Sequence, residues 1–242
     1  MKPTTPGRTP GAPPVAQLPL ALRYPADQRL DTFVDAPPGA VEQLRALAIG
    51  GEGDWLYLSG APGTGKTHLM LGACAAADAA GRRAAYLPLA TAAGRLREAL
   101  EALEGNDLIA LDGLEAIAGC AADEIALFDT HNRARAAGSR LVYAAQAAPD
   151  GLGLQLPDLR SRLSQCTRVS LQPLDDGGRR EVLRQRARRR GWVLEEPALD
   201  WLLRRVGRDL AGLAALLDQL DRASLAAQRR ITVPFLRQVL GA

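Results

Sequence analysis

The plainest chemical signal in the chain is the run Gly60-Ala61-Pro62-Gly63-Thr64-Gly65-Lys66-Thr67. It fits G-x-x-x-x-G-K-[ST], a loop that binds phosphate. The glycines let backbone wrap close around an anion with no Cβ in the way. The N–H groups of the loop and of the helix that follows then point at the phosphate, and the helix dipole adds to the attraction. Lys66 is placed to reach the β- and γ-phosphates, the Thr67 hydroxyl to hold Mg²⁺, and His68 continues the same stretch. The competing reading is a Gly-rich turn that binds nothing. The flanks argue against it. Residues 55–58 read as a short buried strand, and residues 68–80 are small and apolar and read as a helix.

Two further groups are candidates for the same chemistry. Asp112 closes the apolar run Leu108-Ile109-Ala110-Leu111, and a P-loop enzyme places such an acid beside Mg²⁺, through water. Hydrolysis also needs a group that orients the attacking water. The next residue, Gly113, cannot polarise anything, and Glu115 lies two residues further on, with its direction open. Binding without efficient self-catalysis is the more natural reading. The segment Leu156-Pro157-Asp158-Leu159-Arg160-Ser161-Arg162-Leu163 offers guanidinium groups that could reach a γ-phosphate on a neighbouring subunit. From the residues alone, a solvated arginine on a short helix is the preferred alternative.

The elements that would position these groups alternate. A helix is expected over 40–49, a strand before the P-loop, and a helix after it. A strand then follows at 84–88, a helix at 91–104 with Leu96, Leu100 and Leu103 in register, and a strand at 108–112. Next come a helix at 123–137 and strands at 141–145 and 168–171. Strands alternating with helices imply right-handed βαβ units and a parallel sheet of α/β class, with ligands at the carboxyl ends of the strands. After Pro173 the pattern turns all-helical, with helices expected over 175–190, 197–206, 209–227 and 233–240. Residues 30–173 thus read as one α/β domain and 174–242 as a small helical one. Residues 1–16, with five prolines and two glycines, read as a disordered tail. Residues 17–22 form an apolar patch at its exit, of a kind that packs on its own domain or is offered to a partner.

Bulk properties bound the function. Of the 242 residues, 47% are hydrophobic and only 4% aromatic, which favours closely packed, alanine-rich helices. A net charge of +3 and a pI near 9.0 permit contact with nucleic acid without demanding it. Seven arginines between 179 and 190 load one helix with charge, either a solvated face or a surface for DNA phosphates or an acidic partner. Cys74, Cys120 and Cys166 have no C-x-x-C spacing and read as buried hydrophobes of a reducing cytosol. No signal peptide and no membrane-spanning run are read, so a cytoplasmic protein is expected.

With these residues in place the chain resembles the AAA+ family, and within it the DnaA clade and its Hda-like branch of regulatory inactivators. The resemblance runs from Gln17 to Leu240. It is carried by residues 60–68, residues 156–163, the stretch Leu217-Asp218-Gln219-Leu220-Asp221-Arg222-Ala223-Ser224, and Ile231-Thr232-Val233-Pro234-Phe235. It implies a P-loop AAA+ domain with a five-stranded parallel sheet and a helical lid, binding ADP or ATP with Mg²⁺. It implies that Gln17, Leu18, Leu20 and Leu22 bind the DNA polymerase III sliding clamp. It implies that Arg162 is the arginine finger, acting in trans on ATP held by the DnaA initiator, which reverses the preference stated above for a solvated arginine. A homodimer, DNA contact through the clamp and a nucleoid association go with this picture.

Three positions depart from the family pattern. Gly113 replaces the second acid. Gln146 follows the fourth strand where an acidic or hydroxyl sensor is expected. Ala211 stands at the sensor-2 arginine, with Arg208 one helical turn earlier as a candidate substitute. The chain ends at Ala242 without room for the initiator's DNA-binding helix-turn-helix. The resulting expectation is a regulator that stimulates hydrolysis of DnaA-bound ATP. The alternatives are a self-contained, helicase-loader-like ATPase on DNA and a nucleotide-gated adaptor with no catalytic role.

Overall fold

Runs of apolar residues with no polar alternation, such as Leu108-Ile109-Ala110-Leu111, make strands buried on both faces, which is the habit of parallel sheets covered by helices. The computed structural model, which describes residues 24, 25, 27–205, 220 and 231–240, has that sheet. Its strands are β1 (Leu56–Ser59), β2 (Ala84–Pro88), β3 (Leu108–Asp112), β4 (Arg140–Ala145) and β5 (Thr167–Ser170). All pair in parallel, in the order β2-β3-β4-β1-β5. The register sets Leu56 beside both Val142 and Thr167, and Asp112 between Pro88 and Ala144.

Helices α1 (Ala40–Ala48), α2 (Lys66–Ala79), α3 (Leu96–Glu101), α4 (Ala121–Ala137) and α5 (Pro157–Ser164) cover the sheet. Helix α2 lies against it through small residues: Ala73, Cys74, Ala75 and Ala77 are all buried. Gly72 lets the chain at Arg29 and Leu30 pass across α2, since a Cβ there would sit 2.9 Å from the Leu30 nitrogen. The expected helix over 91–104 is shorter. A 3-10 turn at Leu89–Thr91 and a left-handed Gly94 (φ 79°) come first, and only Leu96–Glu101 is α-helical. A left-handed residue cannot continue a right-handed helix, so the leucine spacing was read through a break. Leu96 and Leu100 are nonetheless buried as the spacing requires.

A second core lies beyond residue 175. Helices α6 (Asp176–Arg189), α7 (Glu196–Arg205) and α8 (Val233–Leu240) surround Leu183, Trp192, Leu199, Leu202, Ile231 and Leu236, with Leu220 buried among them. The Asp175 carboxylate caps α6 by accepting the Gly178 N–H at 2.7 Å. The arginines of α6 are largely tied within the protein. Arg184 reaches Glu196 at 2.6 Å, Arg180 pairs with Glu196 and Asp200, and Arg190 reaches Asp27 at 2.6 Å. That resolves the arginine run chiefly as a brace across α6, α7 and the chain entering α1. The expected tail 1–16, the peptide 17–22 with Gln17, Leu18, Leu20 and Leu22, Arg208, Ala211 and, apart from Leu220, the expected helix 209–227 lie outside the described residues.

Candidate functional site

Parallel strands end together, so the β1–α2 loop, the end of β3 and the end of β4 meet at one edge of the sheet. Two backbone bonds hold them level. The Gly60 N–H donates to the Ala145 carbonyl at 3.2 Å and the Gly113 N–H to the Ala144 carbonyl at 2.9 Å. The P-loop residues Gly60, Ala61, Pro62, Gly63, Thr64 and Gly65 then lead straight into α2, where Lys66 and Thr67 open the first turn. Gly65, at φ 93°, is the residue before the helix, and no side chain caps it. The first-turn N–H groups of α2 thus meet no capping side chain, the arrangement that suits an anion.

The loop packs tightly against its neighbours at two glycines. A Cβ on Gly60 would fall 2.5 Å from the Leu171 carbonyl oxygen, and one on Gly65 would fall 2.6 Å from the Phe33 ring. Phe33 also packs edge-on against His68, with ring centroids 5.2 Å apart. His68 Nε2 donates to the Arg29 carbonyl at 2.9 Å, so the ring pins the incoming chain to the first turn of α2. Burial lowers the His68 pKa, and Arg186 and Arg189 of α6 lower it further, against the Arg29 carbonyl and Asp27. Thr64 bends back on the loop, its hydroxyl donating to Ala61 O at 2.9 Å.

Lys66 is buried, and its amine donates to the carbonyls of Gly60 at 2.6 Å and Ala61 at 3.0 Å. Burial lowers its pKa, while the carboxylates of Glu115 and, after it, Asp112 hold it up. Thr67 Oγ1 donates to Asp112 Oδ2 at 2.6 Å, and Tyr86 OH donates to the same oxygen at 2.9 Å. A hydroxyl and a carboxylate in contact beside a buried amine form a hard-oxygen set of the kind Mg²⁺ takes.

Glu115 turns toward the end of β4, where Ala145 holds Gly60 at the start of the P-loop. It sits in the 3-10 turn Leu114–Ala116, which left-handed Gly113 (φ 82°) starts. Its carboxylate accepts the Gln146 side-chain amide at 2.9 Å and the Gln146 backbone N–H at 3.2 Å. The sequence left the direction of Glu115 open and marked Gln146 only as an unusual sensor. The two are one hydrogen-bonded unit across the ends of β3 and β4. Tyr86 and Phe33 carried no signal in the sequence. Tyr86 pairs with Ala110, two residues before Asp112 on the same face, so β2–β3 register alone brings its hydroxyl to the acid.

Arg162 lies away from this cluster, on the last turn of α5. It is half-buried, and its guanidinium makes no ion pair or hydrogen bond with a described residue. Burial, then Arg135 and after it Arg162, hold the His131 pKa down to about 4. Between the P-loop and α6 lies a narrow cleft, with Phe33, Thr64 and His68 on one wall and Val182, Gln185 and Arg189 on the other.

Residues 176–240 match the family model described as the lid domain of Hda. Among solved structures, domain III of the replication initiation protein DnaA from Thermotoga maritima is similar at 20% identity. The match covers 90% of this chain and 97% of that one, with a TM-score of 0.72. DnaA from Aquifex aeolicus bound to AMPPCP is similar at 22% identity, over 81% of this chain and 65% of that one, with a TM-score of 0.66. Thermotoga maritima RuvB, a Holliday-junction branch-migration motor, is similar at 18% identity over 88% and 71%, with a TM-score of 0.63. Identities at this level speak for the fold, which is the AAA+ fold with its sheet and helical lid.

Proposed function

We propose that this chain, an AAA+ protein of the DnaA clade with an Hda-type lid, regulates replication initiation by stimulating hydrolysis of ATP held by DnaA. The observation that carries the reading is the separation of two half-sites. The P-loop, with its Thr67–Asp112 pair, is built for phosphate at one place, and on α5 the Arg162 guanidinium has no partner among the described residues. A planar, permanently charged group of that kind neutralises charge that builds on a transferring phosphoryl group, an effect of about 10³–10⁵ in rate where it operates.

The chain's own site fits an adenine nucleotide, ADP or ATP, with Mg²⁺. The support is the P-loop turn itself, packed so closely that a Cβ at Gly60 or Gly65 would strike the Leu171 carbonyl or the Phe33 ring, and the Thr67–Asp112 pair. The metal would supply charge neutralisation on the phosphates. The residues do the rest. Backbone N–H groups of residues 63–67 bind phosphate oxygens, Lys66 exchanges the Gly60 and Ala61 carbonyls for them, and Thr67 and Asp112 orient the metal shell. Phe33 and His68 form the wall of the cleft where a nucleobase stacks. Arg208 would approach the phosphates from the lid.

The remaining parts rest on sequence. Gln17 would make polar contacts while Leu18, Leu20 and Leu22 enter an apolar pocket on the sliding clamp, bringing the chain to DNA indirectly. Its place of work would be the cytoplasm, at the nucleoid, as a monomer or a homodimer. No helix among the described residues is long and apolar enough to cross a membrane.

The test is hydrolysis of DnaA-bound ATP in the presence of clamp and DNA. The expected result is acceleration by the intact chain, lost on Arg162→Ala and kept on Arg160→Ala. Unchanged hydrolysis, or full stimulation by Arg162→Ala, overturns the reading.

A further inference from the structure

The carboxyl ends of β1, β3 and β4 hold Gly60, Asp112 and Ala145 side by side, so the segments that follow β3 and β4 start beside the P-loop. In this chain those followers are Glu115 and Gln146. Gly113 takes the tight left-handed turn that a side chain would resist, and the 3-10 turn it starts carries Glu115 back over the strand ends. Gln146 then clasps the carboxylate with both its side-chain amide and its backbone N–H. Two donors from one residue fix the orientation of a side chain that is otherwise exposed, a costly arrangement for a glutamate that does nothing else. The same carboxylate is the leading negative influence on the Lys66 amine.

We infer that Glu115, held by Gln146, orients the attacking water for hydrolysis of the chain's own ATP, in place of the acid missing at Gly113. The inference rests on the adenine-nucleotide reading of the P-loop and goes beyond it, because it gives this chain its own slow turnover. Glu115 accepts a hydrogen bond from a water molecule lined up on the γ-phosphorus. The water oxygen forms the new bond to phosphorus and the bond from phosphorus to the β–γ bridging oxygen breaks, its electron pair leaving with ADP. The water's proton passes through the Glu115 carboxylate to solvent. ATP and water give ADP, phosphate and a proton. Gln146 is a positioning residue: it touches the carboxylate and not the reacting atoms. Hydrolysis of its own ATP would leave the chain in an ADP-bound state without help from a partner.

The experiment uses the full chain alone, with no DnaA and no clamp, and has two arms. The first titrates fluorescent ADP and a non-hydrolysable ATP analogue in Mg²⁺. The second measures single-turnover hydrolysis of ATP. Glu115→Gln is expected to keep ADP affinity and to slow turnover about 100-fold. It is also expected to tighten the ATP analogue relative to ADP severalfold, since a negative charge near the γ-phosphate is removed. Gln146→Leu is expected to lower kcat about tenfold with KM unchanged, because it disorders the carboxylate without touching the phosphates. Absence of nucleotide binding overturns the binding reading and this inference with it. Binding without turnover above the Lys66→Ala background overturns this inference alone. So does turnover that Glu115→Gln leaves unmoved, or an equal loss of ADP and ATP-analogue affinity, which marks Glu115 as a structural tie.

Discussion

Glu124, fully buried at the start of α4, accepts the backbone N–H of Leu156 at 2.7 Å. It takes the N–H of Gln155 at 3.1 Å and that of Gly119 at 2.7 Å as well. Leu156 is the residue before α5, so one carboxylate sets the entry of the helix that carries Arg162. Replacing the buried Glu124 with alanine takes the shared acceptor from three half-buried N–H groups, and a loss of about 2 kcal/mol is expected in urea unfolding. If Arg162 works in trans, stimulation of a partner's hydrolysis falls with it even at temperatures where the variant is folded. A stability unchanged within error would show that water replaces the carboxylate.

Tyr86 shares the Asp112 oxygen that Thr67 contacts. Partners of this kind orient a metal-binding carboxylate, and their removal costs about 10- to 100-fold in metal affinity. Tyr86→Phe is therefore expected to weaken the Mg²⁺-dependent part of nucleotide binding about tenfold, with binding in EDTA unchanged. Titrating fluorescent ADP with and without Mg²⁺ decides it, and an equal loss in both conditions points to loose packing of β2 instead.

His131 is buried, edge-on to Trp55 at 4.5 Å, with Nδ1 on the Tyr143 hydroxyl at 2.9 Å. Burial, then Arg135 and Arg162, depress its pKa from 6.5 to about 4. The unfolded chain therefore binds a proton that the folded chain refuses between those values. Stability from this group is whole above pH 6.5 and is lost as pH falls toward 4, by on the order of 3 kcal/mol. Urea midpoints across that window are expected to fall for the native chain and to fall less for His131→Gln. Identical slopes would remove His131 as the cause.

Gly72 sits inside α2, where helix propensity alone favours alanine by about 1 kcal/mol. A Cβ there meets the backbone of Arg29 and Leu30 at 3.1 and 2.9 Å. Backbone cannot step aside as a side-chain tip can, and overpacking costs about 1–3 kcal/mol. Gly72→Ala is expected to lower thermal stability despite the better helix former. A rise in Tm would mean that the crossing segment is loosely held.

Much was legible without coordinates wherever the signal was local. The P-loop is contiguous, and the apolar run before Asp112 marks a strand end by itself. The alternation of strands and helices and the all-helical character after Pro173 follow from periodicity over a dozen residues. The helix read over 91–104 failed at Gly94, where leucine spacing outvoted a turn residue.

Residue types, spacing and strand ends were decided by the chain itself, because backbone geometry converts them directly into a loop, a helix dipole and a buried strand. Which side chains meet at the strand ends was decided only by the order β2-β3-β4-β1-β5. That order puts Tyr86 on Asp112, Gln146 on Glu115, and Glu124 on the entry to α5, pairs separated by 26, 31 and 32 residues. No periodicity spans such distances. They close because burying the faces of a parallel sheet selects one set of neighbours, and hydrogen-bonding groups brought together there must find each other.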